Sequence, residues 1–218
     1  MRKIFGIILL IIAVAIPARG VDYGAIEVDV TMHPGNYREL LDRFVAADTT
    51  LTPAQMATVY YGFAFTPSYE PCDTFPEIHA AFDRQDFEEV ARLVEPALQL
   101  NPVSLDLCIM GLAAFERGAG TTPGRKALNL AIRSDMLATA ILESGRGTSA
   151  YNPFKVISSS DRQRILRNVL GIGRVLDVDR VGDIEAVKFL FPGKMREHIL
   201  YFDNTLEENY ISRRRLLR

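Results

Sequence analysis

The chain has 218 residues, 48% hydrophobic and 24% charged, with a net charge of −2 and two cysteines. That balance describes a folded body and not a disordered tract, and it gives no general attraction to nucleic acid. Two cysteines and three scattered histidines are too few for a disulfide-dense scaffold or a metal set.

The chain opens as an export signal. Arg2 and Lys3 precede an unbroken apolar run from Ile4 to Ile16, and small residues follow at Ala18 and Gly20. The run is shorter than the ~20 residues a spanning helix needs, so residues 1–20 are expected to be a cleavable signal peptide. No stable membrane span is expected after cleavage. The expected location is the periplasm or the secreted fraction, with a net charge of about −5 once Arg2, Lys3 and Arg19 are gone.

Residues 21–145 read as a helical, repeat-like region. Val21 to Val30 alternates loosely (Ile26, Val28, Val30) and suggests an extended lead-in or an edge strand. His33-Pro34-Gly35-Asn36 reads as a turn. Tyr37, Leu40, Leu41, Phe44 and Val45 then fall on one helical face. Thr52-Pro53-Ala54-Gln55 opens the next helix with a Thr cap, a proline in the first turn and Gln three residues on. Met56, Val59, Tyr60 and Phe63 give it an apolar side. Asp86 caps a third segment with the stripe Val90, Leu93, Val94, Ala97 and Leu98, stopped by Asn101-Pro102 and expected to bend at Pro96. Helices follow over Leu105 to Phe115 and over about 125–142.

This stretch resembles tetratricopeptide-type helix pairs. An Asn-Pro stop ends one helix, and Gly111 stands in the next where two backbones come close, with Gly62 echoing it upstream. The spacing from Gly62 to Gly111 exceeds the ~34-residue period of such repeats, so irregular pairs are expected and not a regular array.

Residues 146–218 read as the α/β part of the same domain. Phe154-Lys155-Val156-Ile157 is β-prone, and Ser160-Asp161-Arg162-Gln163 reads as a capping box opening a short helix. Three strand-like runs follow at Arg174 to Val181, Ile184 to Phe191 and His198 to Phe202, the last two separated by Pro192-Gly193-Lys194. The expected class is α+β, with tetratricopeptide-like helical pairs packed on a small C-terminal antiparallel sheet. Arg213, Arg214, Arg215 and Arg218 close the chain as a basic tail, either solvated or docked on an acidic lipid or partner. Cys72 and Cys108 leave both a bridge and two free thiols open.

Leu51-Thr52-Pro53, Tyr60-Tyr61-Gly62-Phe63, Pro67-Ser68-Tyr69-Glu70-Pro71, Ile157 to Asp161 and Leu200-Tyr201-Phe202-Asp203 together resemble an uncharacterised exported family of Bacteroides-type bacteria, domain of unknown function 4919. The resemblance implies export and a shared fold, and no reaction. The chain departs from the pattern at Cys72, where an aromatic is expected, and at Asp161-Arg162-Gln163, which is less acidic.

No cofactor is implied by any motif. Gly171-Ile172-Gly173 follows a helix and lacks a third glycine, and Ser158-Ser159-Ser160 is not a nucleophile elbow. Asp177 and Asp179 share one strand face and read as a polar outer surface. Six aromatics crowd sixteen positions: Tyr60, Tyr61, Phe63, Phe65, Tyr69 and Phe75. They serve either a core or a ligand surface, with Tyr61 and Tyr69 expected at the surface. The leading function is therefore a non-catalytic binding or scaffold module for a protein or peptide partner at the cell envelope, with Tyr61, Tyr69, Arg84 and Arg92 as contacts. The alternatives are a small hydrolase of envelope or dietary polymers, using Asp161, His198 and Tyr201, and a structural envelope subunit.

Overall fold

The computed structural model describes residues 20–71, 75–118 and 124–216. The leader, Cys72 and most of the 118–124 loop lie outside the described residues. Among those described, most helices precede a C-terminal sheet and one follows it, where the sequence suggested only a basic tail; the class is the expected α+β.

Helix α1, Tyr23–Met32, occupies the segment expected to be extended. The alternation of Ile26, Val28 and Val30 coexists with a helical stripe of Tyr23, Ile26 and Val30, and Asp22 decides between them by accepting the Ala25 N–H at 3.0 Å. His33, held out of the helical region by the proline that follows, ends α1. Pro34 then begins α2, Pro34–Val45, where a turn was expected. Tyr37 and Phe44 are buried on α2. Thr52 and Gln55 form the expected capping box on α3, Pro53–Gly62, and a single 3-10 turn over Phe63–Phe65 follows.

Helices α4 (Pro76–Asp83) and α5 (Phe87–Leu100) pack with α6 (Leu105–Gly118) around a small second core of Ile78, Val90, Val94, Leu107 and Met110. Asp86 caps α5 as expected, and Pro96 stands inside it. Helix α7, Arg125–Glu143, covers the other side of α6. Gly62 and Gly111 mark the close approaches inferred for them. A Cβ on Gly62 would sit 2.8 Å from Val30 Cγ2 and 2.9 Å from Tyr37 Cε2, and one on Gly111 would sit 2.8 Å from Leu130 Cδ1.

The sheet has the order β1-β4-β3-β2, with β1 Phe154–Lys155, β2 Arg174–Val181, β3 Ile184–Leu190 and β4 Glu197–Asp203. It is mixed where an antiparallel sheet was expected. β2, β3 and β4 are antiparallel, but β1 runs parallel to β4, pairing Phe154 with Phe202. Only a crossover can join parallel neighbours, and α8 (Ser159–Arg164) with β2 and β3 supplies it. Ser158 caps α8 by accepting the Asp161 N–H, so the cap lies two residues before the expected Ser160. A π-turn over Ile165–Val169 continues α8. The inner face of β3 (Glu185, Val187, Phe189) and Phe202 of β4 close on the main core. Helix α9, Thr205–Leu216, ends the description. No described helix is long and apolar enough to cross a membrane.

Substituting Gly62→Ala forces a methyl into the α1–α2 contact, an overpacking that typically costs about 1–3 kcal/mol. We expect its thermal midpoint to fall by at least about 3 °C, while Gly35→Ala, whose Cβ meets nothing within 4 Å, leaves the midpoint unchanged.

Candidate functional site

One open groove of about 560 Å³ lies between the first and last described helices. This volume falls within the range of small-ligand and short-peptide sites. Glu27 and Thr31 of α1 form one wall, one helical turn apart. The floor comes from Ala64 to Pro67 and from Tyr69. Tyr210, Arg213 and Arg214 of α9, at i, i+3 and i+4, form the opposite wall.

The floor is built from the core outward. Tyr69 donates its hydroxyl hydrogen to the Ile157 carbonyl, which fixes its ring. Phe63 packs edge-on to that ring at 6.2 Å, and Tyr210 does the same from the α9 side at 5.3 Å. Arg214 is committed: it pairs with Glu70 at 2.6 Å, donates to the Tyr210 hydroxyl at 3.1 Å and lies over the Tyr210 ring. Arg213 has no carboxylate partner, and Glu27 has no cationic one, among the described residues. The groove thus carries an aromatic floor with an unpaired acid on one wall and an unpaired base on the other.

Of the four residues expected to make contacts, only Tyr69 lines this groove, and it does so from a buried position. Tyr61 is wholly buried: its hydroxyl donates to the Lys155 carbonyl at 3.1 Å and its ring stacks edge-on to Tyr60. The surface placement expected for both tyrosines is therefore corrected. The polar end of each ring meets a main-chain carbonyl, and the ring itself fills the core. Arg84 and Arg92 are exposed on the α4–α5 hairpin and do not line the groove. Arg92 is instead held by Glu89 through two hydrogen bonds of 2.8 and 2.6 Å. Glu27 escaped notice because its segment read as extended. Tyr210 escaped, and Arg213 entered only as part of a basic tail, although Glu207 and Glu208 in the first turn and the arginines in the last follow the helix dipole.

A family model described as a domain of unknown function, DUF4919, matches residues 24–179. The chain belongs to the DUF4919 family. No curated protein and no solved structure matches it. The matched residues of this DUF4919 chain include Glu27, Thr31 and the aromatic floor of the groove.

They also include a second polar constellation, buried between α3, α6 and α8. Asp161 accepts the Tyr60 hydroxyl at 2.9 Å and the Asp106 N–H at 3.2 Å. Asp106 receives Arg164 Nε on one oxygen and faces His79 Nε2 at 2.9 Å on the other. Burial lifts the Asp161 carboxyl to about 7, aided by the Asp106 charge. Burial pushes Asp106 the same way, but His79 and Arg164 outweigh it and hold Asp106 below its usual range. The hydrogen bond to Asp106 raises His79.

This constellation ties elements together and does not assemble the hydrolase set. Asp161 is enclosed, at 1% exposure. His198 lies on the inner sheet face opposite Phe189, stacked on that ring. Tyr201 is three residues further along β4 and therefore on the outer face, opposite Ala186. Among the described residues no three His, Cys, Asp or Glu side chains converge as a metal set. Cys108 is a buried free thiol, raised to about 11 by burial.

The linkage has a definite sign. A carboxyl raised from 3.8 to about 7 on folding keeps its proton in the native state while the unfolded chain loses it, so stability falls as pH rises through that window. His79, raised by its acid partner, likewise loses its contribution as pH rises past its folded value. We expect the thermal midpoint to drop by about 5 °C between pH 5.5 and 8.0, and by less than half as much in Asp161→Asn, as read by circular dichroism.

Proposed function

We propose that this chain is an exported, non-catalytic binding module of a Bacteroides-type bacterium, working in the periplasm or as a secreted protein and seating a partner segment in the α1–α9 groove. The observation that carries it is the groove itself: an aromatic floor between two helices whose lining charges, Glu27 and Arg213, lack partners among the described residues. Aromatic faces bury large area at low entropic cost, and charges on a rim set orientation and partner choice. The dispersal of Asp161, His198 and Tyr201 favours binding over hydrolysis. Export rests on the leader, whose small residues end at Gly20, two positions before Asp22 caps α1.

Two measurements test this. The periplasmic or secreted fraction is expected to hold a mature chain beginning at about Val21 by N-terminal sequencing; a chain retaining Met1 in the cytoplasm overturns the export half. Thr31→Arg with Arg213→Glu fills the groove and inverts one wall without touching the core. This double variant is expected to lose at least about tenfold in capture of partners from envelope extracts, with an unaltered thermal midpoint. Equal capture by variant and wild type would remove the groove from consideration.

A further inference from the structure

The chemistry of the groove's occupant follows from its walls, and this step rests on the groove being the binding site. Among the described residues, Arg213 of α9 has no carboxylate partner and Glu27 of α1 has no cationic one. Neither residue reaches the other within ion-pair distance. The floor offers Phe65, and the α9 wall adds the Tyr210 ring, which Arg214 braces from one side. A ligand with one charge would satisfy one wall and leave the other facing it across apolar surface. A neutral apolar ligand would satisfy neither.

We infer that the groove takes a short zwitterionic peptide, a free amine on Glu27 and a free carboxylate on Arg213, with an apolar or aromatic side chain on the floor between them. The volume of about 560 Å³ suits a few residues and not a folded domain. Arginine favours this assignment, because its planar fork accepts a carboxylate in two parallel hydrogen bonds. The arrangement also fixes direction: the peptide's amino end lies against α1 and its carboxyl end against α9. A reversed peptide would set amine against guanidinium and carboxylate against carboxylate.

The test uses the tripeptide Gly-Phe-Gly with free ends, its N-acetyl form and its C-amide form, titrated into the mature protein while the Phe65 and Tyr210 ring resonances are followed. Each blocked end is expected to weaken binding about fivefold, the upper end for an exposed ion pair. Glu27→Gln is expected to erase the penalty of acetylation and leave that of amidation. Arg213→Gln is expected to do the reverse. Three forms that bind alike to wild type, or penalties that both variants leave in place, overturn the zwitterionic assignment while the groove stands. If no form moves the Phe65 or Tyr210 resonances, the assignment and the groove fall together. Circular dichroism of both variants checks that these exposed substitutions leave the fold intact.

Discussion

Three tyrosine hydroxyls, with that of Ser144, satisfy one edge of the segment 155–157, and the rest of the molecule is arranged around that contact. β1 pairs with β4 on one side only, which leaves main-chain groups on its other side in need of partners inside a core. Tyr61 donates to the Lys155 carbonyl, Tyr60 accepts the Ile157 N–H, and Tyr69 donates to the Ile157 carbonyl. Side chains from α3 and the turn after it thus stand where a neighbouring strand would be. Tyrosine fills a core with its ring and can both donate and accept at its tip, which phenylalanine cannot do and tryptophan, a donor only, can do in part.

From that contact the helical half and the sheet half become one body. The Tyr60 hydroxyl that accepts Ile157 N–H passes its own hydrogen to Asp161, and Asp161 also accepts the Asp106 N–H at the start of α6. One carboxylate therefore joins α3, α6 and α8. Among the described residues its hydrogen-bond partners are hydroxyls and amides and no cation pairs with it, so burial, with the Asp106 charge, lifts the carboxyl to about 7. Arg164 and His79 compensate the adjacent Asp106 instead. The two carboxylates are pushed apart in proton affinity by who touches them, a division that in other settings marks acid–base chemistry. Here the Asp161 carboxyl sits in an enclosed junction, and its raised proton affinity makes stability depend on pH.

The helices whose ends carry chemical punctuation were legible in the sequence. Thr52 with Gln55, Asp86, and Asn101-Pro102 bound α3 and α5 where they stand. The β-prone runs, too, fell within a residue of β2, β3 and β4. Two kinds of segment resisted. In α1 apolar residues occur at both period two and period three or four, and only the Asp22 cap separates the alternatives. In α9 the apolar content is Leu206, Tyr210, Ile211 and the terminal Leu216 among charges, too thin a stripe to announce a helix. Both walls of the groove come from these two helices. The site was hidden for that reason, while its floor residue Tyr69 was visible and misplaced, since an aromatic run alone does not say whether rings face inward or outward.

The way α9 is attached separates the fixed part of the site from the adjustable part. Beyond Leu206 and the Tyr69–Tyr210 contact, polar links hold it. Ser159 donates to Glu207, Arg180 pairs with Glu208, and Arg214 pairs with Glu70. Arg162 and Arg180 share Glu185 beneath. Polar links at a partly exposed surface are individually weak and exchangeable, whereas the tyrosine–β1 contact is buried and tightly packed. The floor of the groove is therefore set by the core, whereas the cationic wall rests on these polar links and on the Tyr69–Tyr210 contact. In the proposed binding role, affinity for an aromatic or apolar side chain would come from the floor, and selection by end charge from Glu27 and Arg213, both exposed.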